Sequence, residues 1–450
     1  MARRLDAIVI GAGAAGLAAA EVLSREGLAI EILEARSRIG GRIHTLRPRG
    51  LPIPIELGAE FVHGREEELL SLAREAAIAV DRLPEAHLSI QGRRTEVVHG
   101  FWERYDSIAR RLRSRGRDRS IADFLRSHPR MPVRDRRLLA STVEGYDAAD
   151  LDRASEIALS TAGEPRVDPA EHAQFRVASG YDRVPRWLAG RLDSRRARLR
   201  LRTEVARVKW RRGAVAVTTS SGETLRAPCA VISVPAGVLQ APPGARGAIA
   251  FDPDPAPIRR ALSRIAMGDV VRLVLRFEKP FWTDPEVVAR RVPAEKRGEA
   301  EIGFVHLEGT GADFPTLWSA APSQSPVLVA WSGGPAARRL LSLPREQLVA
   351  RAFEVLARVW RMDAAKLRRG LTAWHIHDWS RDPHARGAYS YQTVGGAKAP
   401  DALARPVAAT LFFAGEATEG QRSGTVPGAI SSGRSAARRL LRAIGRARST

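Results

Sequence analysis

The apolar run Ala7–Ile10 reads as a strand buried on both faces. An Ala/Leu-rich stretch, residues 17–23, follows as a helix, and residues 29–33 read as a second strand ending in Glu34. Further along, residues 101–112 and 121–125 carry helical spacing, separated by a polar break at 114–120. The run 175–181 leads into another helix over 184–192. Residues 199–234 alternate as an antiparallel meander does, with Val205, Val208, Val215 and Val217 as apolar members and Ser220-Ser221-Gly222 as a turn. The Pro-rich residues 242–257 read as a connector, residues 269–277 as a strong strand, and residues 290–300 as a charged loop. No internal repeat occurs.

Between the first strand and the first helix lie Gly11, Gly13 and Gly16, the G-x-G-x-x-G spacing of a dinucleotide-binding turn. Gly11 permits the tight turn, Gly13 lets backbone approach a pyrophosphate, and Gly16 lets helix pack against strand. The helix N-terminus, with Ala15 in its first turn, then faces the phosphate charge. Glu34 stands 18 residues after Gly16, where a carboxylate accepts hydrogen bonds from ribose hydroxyls.

Four further stretches fit one pattern. Glu34-Ala35-Arg36-Ser37-Arg38-Ile39-Gly40-Gly41-Arg42 pairs glycines with arginines, which bring N–H groups and guanidinium forks to a diphosphate. The second is Glu56-Leu57-Gly58-Ala59-Glu60-Phe61-Val62-His63-Gly64, and the third Gly387-Ala388-Tyr389-Ser390-Tyr391. The fourth is Leu411-Phe412-Phe413-Ala414-Gly415-Glu416-Ala417, with Ser423-Gly424-Thr425-Val426-Pro427-Gly428-Ala429-Ile430 after it. Together they strongly resemble the flavin-containing amine oxidases, from about residue 5 to residue 440.

The resemblance implies an α/β fold: a Rossmann-like FAD-binding domain interleaved with an α+β substrate domain. The FAD domain would comprise residues 1–79, 188–260 and 385–450, and the substrate domain 80–187 and 261–384. Arg36, Gly40, Gly41, Arg42, Gly58, Ala59 and Glu60 would join the glycine turn as cofactor contacts, with Ala35 beside them. Val205 would lie near adenine, Glu416 would hold the ribityl chain beside Gly415, and N–H groups near Thr425 and Val426 would face the pyrimidine edge. A helix starting near Pro427 would aim its positive end at the O2 region. Trp379 resembles a tryptophan that packs near the flavin.

The implied reaction is oxidation of a primary or secondary amine or polyamine. Hydride leaves the α-carbon for flavin N5, the imine hydrolyses, and O2 or another acceptor restores the cofactor. Tyr389 stands where the family has an aromatic at the flavin's face, and Thr425 where monoamine oxidases place a second tyrosine. Ala388 replaces the cysteine that monoamine oxidases bond to flavin, so FAD is expected to bind non-covalently. Arg272 replaces a lysine linked to oxygen reactivity, which opens the door to a dehydrogenase. His63 and Glu60 fall on a loop that contacts the extra nitrogens of polyamines. The N-terminal fingerprint is shared with carotenoid desaturases and protoporphyrinogen oxidases, whose C-terminal motifs match less well.

Composition adds limits. The 450 residues suffice for two domains. The formal charge is +22, with 72 Lys and Arg of which Lys209, Lys279, Lys296, Lys366 and Lys398 are the lysines. These charges are spread through every region, which argues for non-specific adhesion at low salt and against a specific nucleic-acid partner. The single cysteine, Cys229, forms no internal disulfide and sits in the apolar run 229–234, compatible with a reducing, cytoplasmic setting. Residues 436–448 read as a basic helix and no membrane anchor. His375, His377 and Asp378 alternate with Trp374 and Trp379 nearby, a strand pattern rather than a metal site. Which amine, which acceptor and which oligomeric state are left open.

Overall fold

The computed structural model describes residues 4–64, 66–162, 173–292, 294–297, 303–309 and 311–448. Ala7–Ile10 is the central strand of a five-stranded parallel sheet. Ile30–Leu33 and then Ala197–Arg200 lie on one side of it, and Cys229–Ile232 and then Leu411–Phe413 on the other. Residues from the two ends and the middle of the chain therefore share one sheet. Helices cover one of its faces and an antiparallel meander the other, so Ala7–Ile10, Cys229–Ile232 and Leu411–Phe413 are unbroken apolar runs.

The helix Ala14–Arg25 is buried almost all round. The C-terminal helix Val426–Arg448 crosses it so closely that a side chain at Gly433 would meet the Ala15 carbonyl oxygen at 2.1 Å. The basic face expected at 436–448 is backed by buried Ala436, Ala437 and Leu440.

The expected meander is confined to Val205–Arg211, Ala214–Thr219 and Thr224–Ala227. Its first two residues belong to Ala197–Arg200, which like Cys229–Ile232 is a parallel member of the first sheet instead. The alternation of the middle strands had masked the change of partner. The Pro-rich connector contains a short strand, Ala250–Asp252, parallel to Val205–Arg211. The loop at 290–300 lies partly outside the described residues.

A seven-stranded sheet forms the second body. Its order is Leu371–His375, Val270–Phe277, Val327–Gly333, Thr316–Ser319, Phe304–Leu307, His87–Gln91 and Arg94–Val98. In Val270–Phe277, Val271, Leu273, Leu275 and Phe277 pack with the helix Arg345–Trp360. Arg272 and Val274 alternate with them and point to the opposite face. Helices Phe101–Ala109, Ile121–Ser127, Val133–Gly145 and Glu156–Ala162 form a cap with its own small core. The helix Arg183–Gly190, which spans the expected boundary at 187, contributes Val184 and Leu188 to the core of the first body.

Candidate functional site

The glycine turn is built as its spacing demands. Gly11 has φ +101°, and a side chain on Gly16 would sit 2.0 Å from the Gly11 carbonyl oxygen. Gly13 differs, because a Cβ there would meet nothing within 4 Å. No packing demand requires glycine at that position, which borders a cavity of about 560 Å³. Gly415, at φ +139°, likewise has open space where a Cβ would be, beside the same cavity.

One cavity gathers nearly all the residues singled out from the sequence. Gly11, Gly13, Ala15, Glu34, Ala35 and Arg36 line it, followed by Gly40, Gly41 and Arg42. Gly58, Ala59, Glu60, His63, Val205 and Arg272 contribute from other segments. Trp379, Ala388, Tyr389, Gly415, Glu416, Thr425 and Val426 complete the set. Gly16 is set back, in the helix–turn contact described above.

The polar groups of the turn are largely organised by the protein itself. Glu34 accepts the backbone N–H of Ala12 at 2.8 Å and of Arg36 at 2.9 Å. The Arg36 guanidinium is committed to Asp382 through a two-pronged pair at 2.8 and 2.9 Å, so at the cavity it offers backbone more than charge. Arg38 donates to the carbonyls of Ile39, Gly41 and Ile43 and so fixes the paired-glycine loop. Burial, with Arg36 beside it, lowers the Arg38 pKa to about 10.

Arg42 bonds the Ala388 carbonyl at 2.9 Å and Glu416 at 2.8 Å. The other Glu416 oxygen accepts from the Ser390 hydroxyl at 2.7 Å and the Gly424 N–H at 3.0 Å. The observed work of Glu416 is thus to tie Arg42 to the two C-terminal loops. Thr425 donates to the Arg422 carbonyl and accepts from the Gly428 N–H, which makes it the cap of the last helix. Its hydroxyl is used in capping rather than offered to a reacting group.

Arg272 is 5% exposed. One of its nitrogens pairs with Glu60, and its guanidinium carbon lies 5.3 Å from the centroid of the Trp318 ring. Its buried Nε bonds to no described residue. Glu60 also accepts from Arg176 Nε at 2.9 Å and Trp318 Nε1 at 3.0 Å. Burial alone would raise the Glu60 carboxyl, but Arg272 and Arg176 hold it below its ordinary value. Glu60, expected against cofactor or substrate, is occupied by these three donors.

Beyond Arg272 the cavity becomes an aromatic chamber. Tyr389 donates its hydroxyl to the Tyr146 carbonyl, and burial raises its pKa well above the usual value. The Tyr146 ring meets Trp102 at 4.9 Å and His63 at 5.0 Å between centroids. The far wall holds His306 stacked flat on Phe101 at 4.8 Å, with His306 Nε2 3.1 Å from His87 Nδ1. Burial lowers both imidazoles, His87 to about 4 and His306 to about 3, so both are neutral near pH 7.

Trp102, Tyr146, Asp147 and His306 all line this chamber and escaped the reading of the sequence. The helical spacing located the segment holding Trp102, but spacing does not say which cavity a helix faces. Trp379 was found, and it is buried with its indole N–H on the Leu57 carbonyl at 2.8 Å.

These residues fit a flavin dinucleotide. The open Gly13 cradle and the helix N-terminus suit a diphosphate, Glu34 keeps unused lone pairs for ribose, and the cavity runs on into the aromatic chamber. Cys229 is not among the lining residues; it is buried in its strand, and burial raises its thiol to about 11.

The model of the family described as flavin containing amine oxidoreductase matches residues 14–441. Polyamine oxidase 2 of Arabidopsis thaliana is 30% identical over 468 residues, covering 97% of this chain and 88% of that protein. The structure of a putrescine oxidase bound to putrescine superposes with TM-score 0.79 at 20% identity, over 98% of this chain and 99% of that one. Cyclohexylamine oxidase from Brevibacterium oxydans gives TM-score 0.78 at 20% identity, over 98% and 100%. No described helix is long and apolar enough to cross a membrane.

Proposed function

The chain belongs to the flavin-containing amine oxidoreductases, and on that premise we propose that it oxidises a primary or secondary amine or a polyamine with non-covalently held FAD. The observation that carries this reading is the single cavity joining the Gly13 cradle to the Tyr389–Tyr146–Trp102 chamber. When bound, the flavin supplies the two-electron acceptor for the hydride that leaves the amine's α-carbon.

The chain's own residues do the rest. Gly13, Gly41 and Arg42 would hold the diphosphate and Glu34 the ribose, and Val205 would flank the adenine. Glu416 keeps Arg42 in place through its bonds with Arg42, Ser390 and Gly424. The N-terminus of Val426–Arg448, which borders the cavity, would present positive potential to the pyrimidine edge. Tyr389, Tyr146 and Trp102 wall the amine in, exclude water and so favour its neutral form. The imine released hydrolyses to a carbonyl compound. The absence of cysteine from the cavity lining supports non-covalent binding.

Arg272 keeps a fixed positive charge in the chamber but, clamped by Glu60 and stacked on Trp318, cannot mimic the mobile, compact ammonium of lysine. Reoxidation by O2 is therefore slower than reoxidation by an artificial dye acceptor. The test is product analysis with the flavin-loaded protein and a panel of mono-, di- and polyamines. An aldehyde or ketone forms from one class, and acid precipitation releases the yellow colour into the supernatant. No carbonyl product from any amine would end the proposal.

A further inference from the structure

Residues 144–149, which leave the helix Val133–Gly145, pass unusually close to the large sheet. A Cβ on Gly333 would lie 2.4 Å from the Glu144 carbonyl oxygen, one on Gly268 2.6 Å from that of Ala148, and one on Gly334 2.9 Å from that of Ala149. Three glycines thus make the crevice into which this backbone fits. Trp331 donates to the Gly145 carbonyl at 2.8 Å and Tyr389 to that of Tyr146. Ala148 is held at φ +51° although it is not glycine, and it is 1% exposed. Such a conformation persists only where its surroundings over-determine it, and it is common at functional sites.

What this clamp holds in place is Asp147. Its backbone N–H goes to the Thr142 carbonyl at 3.1 Å, and its side chain lines the cavity beside Tyr389. No hydrogen bond or ion pair joins its carboxylate to any described residue. Among the other acidic residues of the cavity, Glu60 is engaged by Arg272 and Arg176, Glu34 by backbone N–H groups, Glu308 by Ser89, Glu416 by Arg42, Glu66 by Arg422 and Glu204 by His384, and Asp106 is not free either.

We propose that Asp147 is the group that captures the incoming ammonium and takes its proton, leaving the neutral amine that oxidation requires. The N–H bond of the ammonium breaks, an O–H bond forms on the Asp147 carboxylate, and the pair keeps its net charge of zero. This deepens the amine-oxidising reading and rests on it. The environment suits the task. Burial raises the Asp147 carboxyl to about 7. The same desolvation lowers the pKa of a bound amine, so the two groups approach each other. Tyr146 and Tyr389 are the titratable groups beside it, and Glu144 and Asp150 share its loop without shifting it. Asp269, on the segment after Gly268, is taken by Arg338 and Ser380.

The test uses the flavin-loaded protein, its Asp147→Asn and Asp147→Glu variants, and benzylamine, cyclohexylamine, putrescine and spermidine as probes. Stopped-flow reduction without oxygen gives apparent amine affinity against pH, and infrared difference spectra between pH 5.5 and 8.5 follow carboxyl protonation without any substrate. Wild type should bind the reducing amine more tightly as pH rises through about 7, because only the carboxylate attracts the ammonium. In Asp147→Asn that inflection and the matching infrared carboxyl band disappear. Affinity above pH 7 then falls roughly ten- to a hundredfold, while below it the two proteins converge. Asp147→Glu restores both signals in part. Because burial also raises the Glu56 carboxyl to about 7, an inflection that survives in Asp147→Asn, or an infrared difference spectrum that the substitution leaves unchanged, overturns the proposal while leaving amine oxidation intact. If none of the four amines reduces the wild-type flavin, the amine reading fails and this proposal with it.

Discussion

Two glycines a single step apart in one motif make different claims, and they can be separated by experiment. Gly16 is required by the protein, since a methyl group there would overlap the Gly11 carbonyl; Gly13 is required only by what lies in front of it. Gly16→Ala should therefore lower the melting temperature by several degrees, even without cofactor. Gly13→Ala should fold as wild type and purify with little flavin. Equal thermal losses in the two apo-proteins would contradict this assignment. Glu60 gives a second residue-scale prediction. Glu60→Gln leaves Arg272 and Arg176 without their shared buried anion and should cost about 3–5 kcal/mol in denaturant unfolding. Arg272→Lys keeps the charge but shortens its reach, and it should speed flavin reoxidation by O2 roughly tenfold, measured after amine reduction. An unchanged rate would remove Arg272 from the account of oxygen use.

At the scale of elements, the sequence yielded what repeats locally and hid what is decided across the chain. The run Ala7–Ile10, the three glycines and Glu34 announced the first strand, turn and helix because each step follows its neighbour. Strand partnership did not show, because alternation is a property of one strand's two faces and not of its neighbour. Residues 199–200 and 229–232 therefore read as part of the meander although they pair in the parallel sheet. The clamped turn at 144–149 was equally silent, since its three glycines lie more than a hundred residues away in sequence.

The paired strands His87–Gln91 and Phe304–Leu307 carry a pH prediction of their own. They bury His87 and His306 as neutral rings, which fold with pKa values of about 4 and about 3. The unfolded chain binds protons there near pH 6.5, before the folded protein does. Stability is full above pH 6.5 and declines as pH falls toward about 4. His306→Phe, which preserves the stack on Phe101, should flatten that decline in urea titrations. A slope identical to wild type would mean that the pair does not titrate as described.

At the scale of the molecule, segments from both ends of the chain meet in one sheet, and residues of that sheet and of the larger, mixed one line the same cavity. The net charge of +22 is a property of the whole surface rather than of this site. Retention on a phosphate-bearing resin should weaken steeply between 50 and 300 mM salt, with no change in flavin content. The central claim is that the cavity brings an amine to a flavin, and the most direct test is the visible absorbance of the flavin-loaded protein as amines are added without oxygen. Rapid bleaching by one amine class, with little change from amides or alcohols of the same shape, is the predicted result. Absorbance unchanged by every amine, with flavin demonstrably bound, would contradict the account.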